Sequence, residues 1–416
     1  MRVVIFSHGH PTFSKGGGEL AAYHLFNGIN QTSDNEAWFI GRAPDHLLHL
    51  GTPVAAINER EYLISGNAEH FHLNACIALG DSSDFSEMLR NINPDVIHFH
   101  HYVWLGIEMI RAAKRTCPDV KIILTLHEYI AICSNSGQMI KTDGRLCYQY
   151  SPRECALCFP DKTPEDFFLR ERYIKSYFNL VDQFISPSDF LRQRYIDWGI
   201  PAEKITVIEN GLPKGDKLLP TVLEEENEIR GKFGYFGQIN PFKGVDVVMD
   251  AFVKLSKEKR KLVSLDIYGS GLQWQETSYQ DKINKMLADN KNMIRYHGSY
   301  ESEELGLLME SVDWVVMGSI WWENSPLVIQ EAYKFGKPVI CPDIGGMAEK
   351  VKNNISGIHY RARDSISLTK VIEKIVDGKV DYEKLCEQLP CILSNEECAA
   401  EHLDLYNENL KMEFKK

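Results

Sequence analysis

Two carboxylates eight residues apart, Glu323 and Glu331, bracket the run Asn324-Ser325-Pro326-Leu327-Val328-Ile329-Gln330. Pro326 suits the first turn of a helix with Asn324 or Ser325 as its cap, so Glu323 stands just ahead of the helix and Glu331 further along it. The N–H groups at such a helix start attract a diphosphate, and the carboxylates accept hydrogen bonds from hydroxyls of a sugar and a ribose. Spacing alone leaves open an ordinary amphipathic helix with two solvated glutamates. A second candidate follows the apolar run Val3 to Phe6: residues 7–15 lead into Gly16-Gly17-Gly18-Glu19 and a helix. Those glycines let a phosphate or sugar approach backbone N–H groups, a flexible turn being the plain alternative. Neither this loop nor Gly269-Ser270-Gly271 completes a G-x-G-x-x-G fingerprint, which disfavours a nicotinamide-dependent dehydrogenase.

The elements that must position these residues read as alternating strands and helices. Short β-rich runs at Val3 to Phe6, Ala37 to Ile40, Val96 to His98, Ile122 to Leu126, Gln183 to Ser186 and Ile205 to Val207 predict a parallel, doubly wound sheet. The pattern restarts at Lys232 to Phe236, Ser264 to Tyr268, Ile294 to Tyr296, Asp313 to Met317 and Pro338 to Cys341, with helices between, such as Asp246 to Lys257 and Pro326 to Phe335. The joint falls between Asn210 and Arg230, where Gly211, Pro213, Gly215 and Pro220 precede the acidic run Glu224 to Glu226. At the far end Ser394 and Glu397 form a capping box, and Ala399, Leu403, Tyr406 and Leu410 share one face of a last helix.

A chain of 416 residues predicts two domains. Its net charge of -12 argues against nucleic acid as the main partner, because phosphate-backbone binding needs a positive surface. The opening apolar run is too short for a signal peptide and no stretch reaches membrane-spanning length, which predicts a cytoplasmic protein with its ten cysteines reduced.

The Glu323-x7-Glu331 segment, followed by Gly336-Lys337-Pro338-Val339 and Gly345-Gly346, resembles the retaining glycosyltransferases of family 4, the "group 1" transferases of GT-B fold. Similar landmarks run the length of the chain: Gly17-Gly18-Glu19, Thr125-Leu126-His127-Glu128, Ser186-Pro187-Ser188, Glu209-Asn210-Gly211, Gly237 to Gly244 and Tyr268-Gly269-Ser270-Gly271. The resemblance implies an α/β GT-B fold, two Rossmann-like doubly wound parallel-sheet domains facing each other across a cleft. It divides the chain into residues 1–212, with a crossover helix at 395–416, as the acceptor side and residues 213–394 as the nucleotide-sugar side. By the same resemblance Glu323 faces the donor sugar, Glu331 holds the ribose, Lys243 neutralises the diphosphate, His127 lies near the transferred sugar, and Gly17 and Gly18 approach the phosphates. Gly269, Asn324, Ser325, Pro326 and Leu327 complete the donor-binding set. Gln238 stands where the family usually has an arginine, and a glutamine supplies no positive charge.

As the bond to the nucleotide breaks, negative charge grows on the diphosphate and positive charge on the anomeric carbon, so the site needs a cationic clamp and a carboxylate. The chain contains no D-x-D triplet, which predicts transfer without a catalytic metal or required cofactor. The expected activity is retaining transfer of a hexose from a nucleotide-diphosphate sugar, UDP above all, to a glycan, a lipid-linked oligosaccharide or a small acceptor, in bacterial surface polysaccharide synthesis. The rivals are an inactive nucleotide-sugar scaffold or sensor and a GT-B epimerase.

Cys133, Cys147, Cys155 and Cys158 crowd one region, the last two as C-x-x-C, and could close a structural zinc site or stand as separate thiols or a redox-labile pair. After the helix start at Thr163-Pro164-Glu165-Asp166, Phe167, Phe168, Tyr173, Tyr177 and Phe178 interleave with Arg170, Arg172 and Lys175. Core packing is the stronger reading of that face; contact with the inner face of an anionic membrane is the other. Phe13 and the loop His98 to Trp104, through Tyr102 and Trp104, are candidates for acceptor contact, its histidines being equally readable as structural.

Overall fold

A computed structural model describes residues 1–14, 16–32, 34–43, 53–66, 69–75, 77–214 and 229–411. Lys15 of the glycine loop, Cys76, most of the expected linker with Glu224 to Glu226, and the last residues of the terminal helix lie outside the described residues. The chain divides into one compact unit of Met1–Pro213 with Leu393–Lys416 and a second of Lys214–Ile392.

The first unit is built on an eight-stranded sheet: β1 (Arg2–Ser7), β2 (Glu36–Ala43), β3 (Val54–Ala56), β4 (Glu61–Ser65), β5 (Val96–Phe99), β6 (Lys121–Thr125), β7 (Gln183–Ser186) and β8 (Ile205–Val207). Its order is β3-β4-β2-β1-β5-β6-β7-β8. Every pairing is parallel except the edge pair β3 and β4. β1 and β5 carry no alternation because helices cover both faces of a parallel sheet. β3 and β4 were not expected: the edge strand β3 and its neighbour β4 are largely half-buried and joined by the polar run Asn58 to Glu61, so the continuous apolar signal is missing.

Helix Asn395–Lys411 belongs to this unit. Its capping box forms, with Glu397 N–H donating to Ser394 Oγ at 3.1 Å and Ser394 N–H to Glu397 Oε2 at 2.8 Å. Its Cys398, Ala399, Leu403 and Tyr406 join Ala22, Leu25, Phe26 and Ile29 of helix Gly17–Asn30 in one apolar core. A Cβ on Gly28 would come within 2.5 Å of Asn395 O, so only glycine admits this approach.

The second unit carries a six-stranded parallel sheet of β9 (Lys232–Phe236), β10 (Ser264–Tyr268), β11 (Ile294–Gly298), β12 (Trp314–Val316), β13 (Val339–Pro342) and β14 (Gly357–Tyr360), in the order β11-β10-β9-β12-β13-β14. β14, at the edge, was not expected, because Gly357 and His359 break its apolar run. The helix expected over Asp246 to Lys257 runs instead over Val245–Val253. Ser256 then caps a separate turn, Lys257–Arg260, by accepting from Lys259 N–H, and this competing local bond ends the first helix early.

Candidate functional site

In the second unit the register brings the loops after β9 and β12 side by side, because Trp314 pairs with Phe233 and Val315 with Gly234. After β9, the Asn240 side chain accepts from Phe242 N–H and Lys243 N–H, both at 3.0 Å, and sets the 3-10 turn Pro241–Lys243. Gly244 follows at φ 62°, where an added Cβ would lie 2.0 Å from Gly318 O. The Ile320 amide then donates to Phe242 O at 2.8 Å and joins the two loops.

This junction delivers Lys243 to Glu323. Three donors converge on Glu323 Oε1: Lys243 Nζ at 2.6 Å, Ser319 Oγ at 2.7 Å and Trp321 Nε1 at 2.9 Å. Oε2 receives none of them. The Glu323 side chain is 7% exposed and that of Lys243 29%, so the pair lies at the rim of the protein interior with the lysine on the solvent side. Ser319 and Trp321 had no role in the sequence reading; the proximity of a hydroxyl four residues and an indole two residues before Glu323 was the signal available.

The helix expected to begin at Pro326 begins at Leu327 and runs to Lys334. Pro326, at φ -64° and ψ 119°, occupies the cap position, and no side chain caps the helix. Neither Asn324 nor Ser325 is therefore the cap. The backbone before the proline is engaged elsewhere: Gly346 N–H donates to Glu323 O at 2.6 Å, and a Cβ on Gly346 would come 1.7 Å from Asn324 O. Ser325 Oγ is buried with no hydrogen-bond partner among the described residues. Glu331 lies one turn into the helix, half-buried, and burial pushes its carboxyl up to about 7 against the opposing charge of Lys334. Gln238 is exposed, its carbonyl accepting from Tyr235 OH at 3.0 Å. Gly269 turns so closely beneath the same loop that an added Cβ would meet Gly237 O at 1.8 Å.

The first unit gathers a separate constellation. β1, β5 and β6 are neighbours in parallel register, with Phe6 opposite Phe99 and Phe99 opposite Leu124, so the residues just past each strand end meet at one edge. His8, His100, His101 and His127 assemble there, with the His8 and His101 ring centres 4.1 Å apart. His100 Nδ1 lies 3.0 Å from His127 Nε2, and His98, behind them, bridges Tyr406 OH and Thr125 Oγ1 at 2.7 Å each. A Cβ on Gly18 would rest 3.6 Å from both His8 and His127, an ordinary contact, so protein packing alone does not demand glycine at that place.

Burial, reinforced by neighbouring imidazoles, holds His98, His100 and His101 well below the usual histidine range and brings His127 to about 3, so these rings are neutral at pH 7. Two neutral imidazoles joined by one hydrogen bond share one proton between the facing nitrogens. His100 Nε2 is buried with no partner among the described residues, and a buried N–H without an acceptor costs more than an unfilled lone pair. The favoured arrangement therefore has His100 donating from Nδ1 to His127 Nε2, which leaves the His127 proton on Nδ1.

Of the acceptor candidates, Phe13 is 46% exposed and Trp104 half-buried with its ring edge-on to His70. Tyr102 is 4% exposed and packs against Phe178, so it stands in the core rather than on an accessible surface. The aromatics of helix Pro164–Phe178 divide likewise: Phe167, Tyr177 and Phe178 are buried, Phe168 is exposed, and Arg170 is 1% exposed, donating to the carbonyls of Phe71, Ala131 and Ile130. That side of the helix is core. No helix among the described residues is long and apolar enough to cross a membrane.

The buried histidines fix a pH response. His98, His100 and His101, held well below 6.5, His127, brought to about 3, and His402, lowered to about 4, bind fewer protons in the folded chain than in the unfolded one as pH falls below 6.5. Stability thus rises with pH across this window and is lost on acidification below 6.5, by about 1.4 kcal/mol per histidine per pH unit. Glu128, raised by burial to about 8, works in the opposite sense, losing stability as pH rises through that value, but it is a single group. Urea unfolding at pH 7.5, 6.5 and 5 should show the first unit failing at pH 5; an unchanged midpoint across the series would contradict the burial of neutral rings.

The family model described as "Glycosyl transferases group 1" matches residues 224–390 and that described as "Glycosyltransferase Family 4" matches residues 16–214. The lipopolysaccharide 1,6-galactosyltransferase of Escherichia coli K12 is 24% identical over 226 residues, 54% of this chain and 60% of that protein. The glycogen synthase of Mycobacterium tuberculosis is 27% identical over 288 residues, 69% of this chain and 61% of that protein. The chain thus spans about three fifths of the length of each of these curated relatives. The crystal structure of Anabaena HepE in complex with UDP-glucose superposes with a TM-score of 0.61 at 15% identity, covering 100% of this chain and 99% of that one. The chain therefore carries, in order, a family 4 and a group 1 glycosyltransferase domain on a GT-B fold.

Proposed function

We propose that the protein is a retaining hexosyltransferase that takes its sugar from a nucleotide diphosphate, UDP in the first instance, and delivers it to a hydroxyl of a glycan, a lipid-linked oligosaccharide or a small acceptor in surface polysaccharide synthesis. The observation that carries this reading is the convergence of Lys243, Ser319 and Trp321 on one oxygen of Glu323, immediately ahead of a helix start that no side chain caps. A cation and free helix N–H groups suit the diphosphate on which negative charge accumulates, and the remaining Glu323 oxygen suits the sugar on which positive charge develops. Ser325 Oγ supplies a further buried polar atom open to a ligand. His127 is assigned to a hydroxyl of the transferred sugar, donating from Nδ1. Retention is drawn from the family 4 resemblance, UDP from the UDP-glucose complex of HepE, and the polysaccharide setting from the lipopolysaccharide relative. Metal-independent transfer is drawn from the lack of a D-x-D triplet in the sequence.

A panel of nucleotide-diphosphate sugars, scored by thermal shift and released nucleotide with and without EDTA, tests it. A selective shift with EDTA-resistant release is the expected result, and the anomeric configuration of the product then tests retention. A sugar released or isomerised without a glycoside would favour an epimerase, and binding without turnover a sensor.

Glu331 adds a pH signature. Accepting ribose hydroxyls requires its carboxylate form, whereas burial raises its pKa to about 7 in the free protein. Below that pH, binding must first remove a proton, so UDP-glucose affinity should fall about fivefold between pH 7 and 6, above the pH at which the first unit fails, and level off above pH 8. Calorimetric titration checks this, and Glu331→Gln should flatten the profile; a wild-type profile flat across the range would dismiss the ribose assignment.

A further inference from the structure

The chain between His127 and Thr163 has one regular element, helix Pro152–Cys158, and that helix buries none of its residues. Apolar packing holds the first part of the segment, where Tyr129, Ile130, Ala131, Ile132, Met139 and Ile140 are buried, but no residue of the helix is fully buried. The segment is nevertheless folded into a definite shape. Cys133 N–H and Gly137 N–H close turns onto Tyr129 O and Cys133 O, and a bridge between Ile140 and Leu146 folds residues 139–147 back on themselves, with Cys147 N–H donating to Met139 O at 2.8 Å. This brings Cys133 and Cys147 to the same void, although they stand fourteen positions apart in the chain. Cys155 and Cys158, three apart on the helix, share one of its faces. All four border a single void of about 20 Å³, closed on its apolar side by Ile140 and Phe159. That volume accommodates one small ion or one water.

We propose that Cys133, Cys147, Cys155 and Cys158 form a tetrahedral, structural Zn²⁺ site that fastens the segment following strand β6. As they stand the side chains do not converge: among the described residues no three His, Cys, Asp or Glu are set to hold a metal. The site closes when the four Sγ atoms turn into the void they already border, to Zn–S distances of about 2.3 Å. Each thiol gives up its proton to solvent as its sulfur coordinates, so up to four protons leave as one dication enters. The donor set fits. Backbone groups of Asn135 and Met139 hydrogen-bond the Cys133 sulfur in the sense that favours its thiolate. The consequence reaches the sheet edge: the same turn carries Tyr129 and Ile130, whose amide donates to Glu128 next to His127.

Metal analysis of the full chain purified under reducing conditions should find one zinc per chain, released by a mercurial thiol reagent. Replacement by Co²⁺ should give thiolate-to-cobalt charge transfer in the near ultraviolet and strong tetrahedral bands in the visible. Cys147→Ser and Cys158→Ser should lose the metal, whereas Cys117→Ser and Cys391→Ser, outside the cluster, should keep it. If the cluster variants fail to fold, the cobalt spectrum and zinc stoichiometry of the unaltered chain decide. Reduced protein that takes up neither zinc nor cobalt, or a thiol count showing a Cys155–Cys158 disulfide in protein kept reduced, would overturn the proposal.

Discussion

Replacing Glu323 by glutamine should lower turnover by roughly 10²–10³-fold, the usual effect of removing one preorganised electrostatic group from a reacting centre, while UDP-sugar binding changes only a few-fold. The split follows from geometry. Lys243 Nζ is held at 2.6 Å by Glu323 before any ligand arrives, so part of its charge is already neutralised. Glutamine keeps the size and can still accept from Ser319 and Trp321, but it releases Lys243 for the diphosphate, so nucleotide affinity is preserved or improved. What disappears is negative charge beside the anomeric carbon, which matters only as positive charge develops there. Stopped-flow binding with steady-state rates separates the two quantities. Equal losses in affinity and kcat would reduce Glu323 to a structural anchor for the loop, and an unchanged kcat would remove it from the chemistry.

Lys243→Ala carries the second large effect. It withdraws the cation and leaves a Glu323 carboxylate, 7% exposed, with only a hydroxyl and an indole as donors. Breaking a buried ion pair from one side costs about 3–5 kcal/mol, an upper figure here because the lysine is partly solvated. The variant should therefore melt lower, and its affinity for UDP should fall by about 10–100-fold, since a hydrogen bond to a charged group contributes about 1.5–3 kcal/mol. UMP, lacking the second phosphate, should lose much less. The double variant Lys243→Ala/Glu323→Gln distinguishes the two causes: stability should return because no buried charge is left unpaired, while UDP affinity stays low. Equal losses for UDP and UMP would withdraw the phosphate-clamp assignment. Gln238, neutral and exposed, adds no positive charge to the clamp proposed above, so either another basic group compensates or that clamp rests more heavily on Lys243 and the helix start.

The strands lining both sites were legible because parallel sheets covered on both faces use unbroken apolar runs, as in Val3 to Phe6 and Phe233 to Phe236. β3, β4 and β14 were not, the first two being largely half-buried and the third having its apolar run broken by Gly357 and His359. Capping signals varied with what the neighbouring backbone was doing. Ser394 and Glu397 close their box because both groups are free to turn on each other, whereas Asn324 and Ser325 are displaced from the cap by Pro326 and by the bond from Gly346. A sequence window sees the capping residue but not a glycine pair twenty residues downstream that pins the preceding carbonyls.

By itself the sequence determined the alternation of strands and helices, the division into two units, and the residue types available for chemistry, because propensity, turn chemistry and hydrophobic period are local. It also singled out Glu323, Glu331 and Lys243. Only the tertiary structure decided that Lys243 and Glu323, eighty residues apart, are in contact and that Ser319 and Trp321 complete the triad of donors on Oε1. The same holds for His8, His100 and His127, brought to one edge by the register of β1 with β5 and β6, which follow it by about ninety residues or more in the chain. Their neutrality at pH 7 follows from burial, which packing within the first unit sets and no spacing of residues encodes. Strand order and depth below the surface arise from long-range pairing, and that is why the chemistry could be listed from the sequence but its geometry could not.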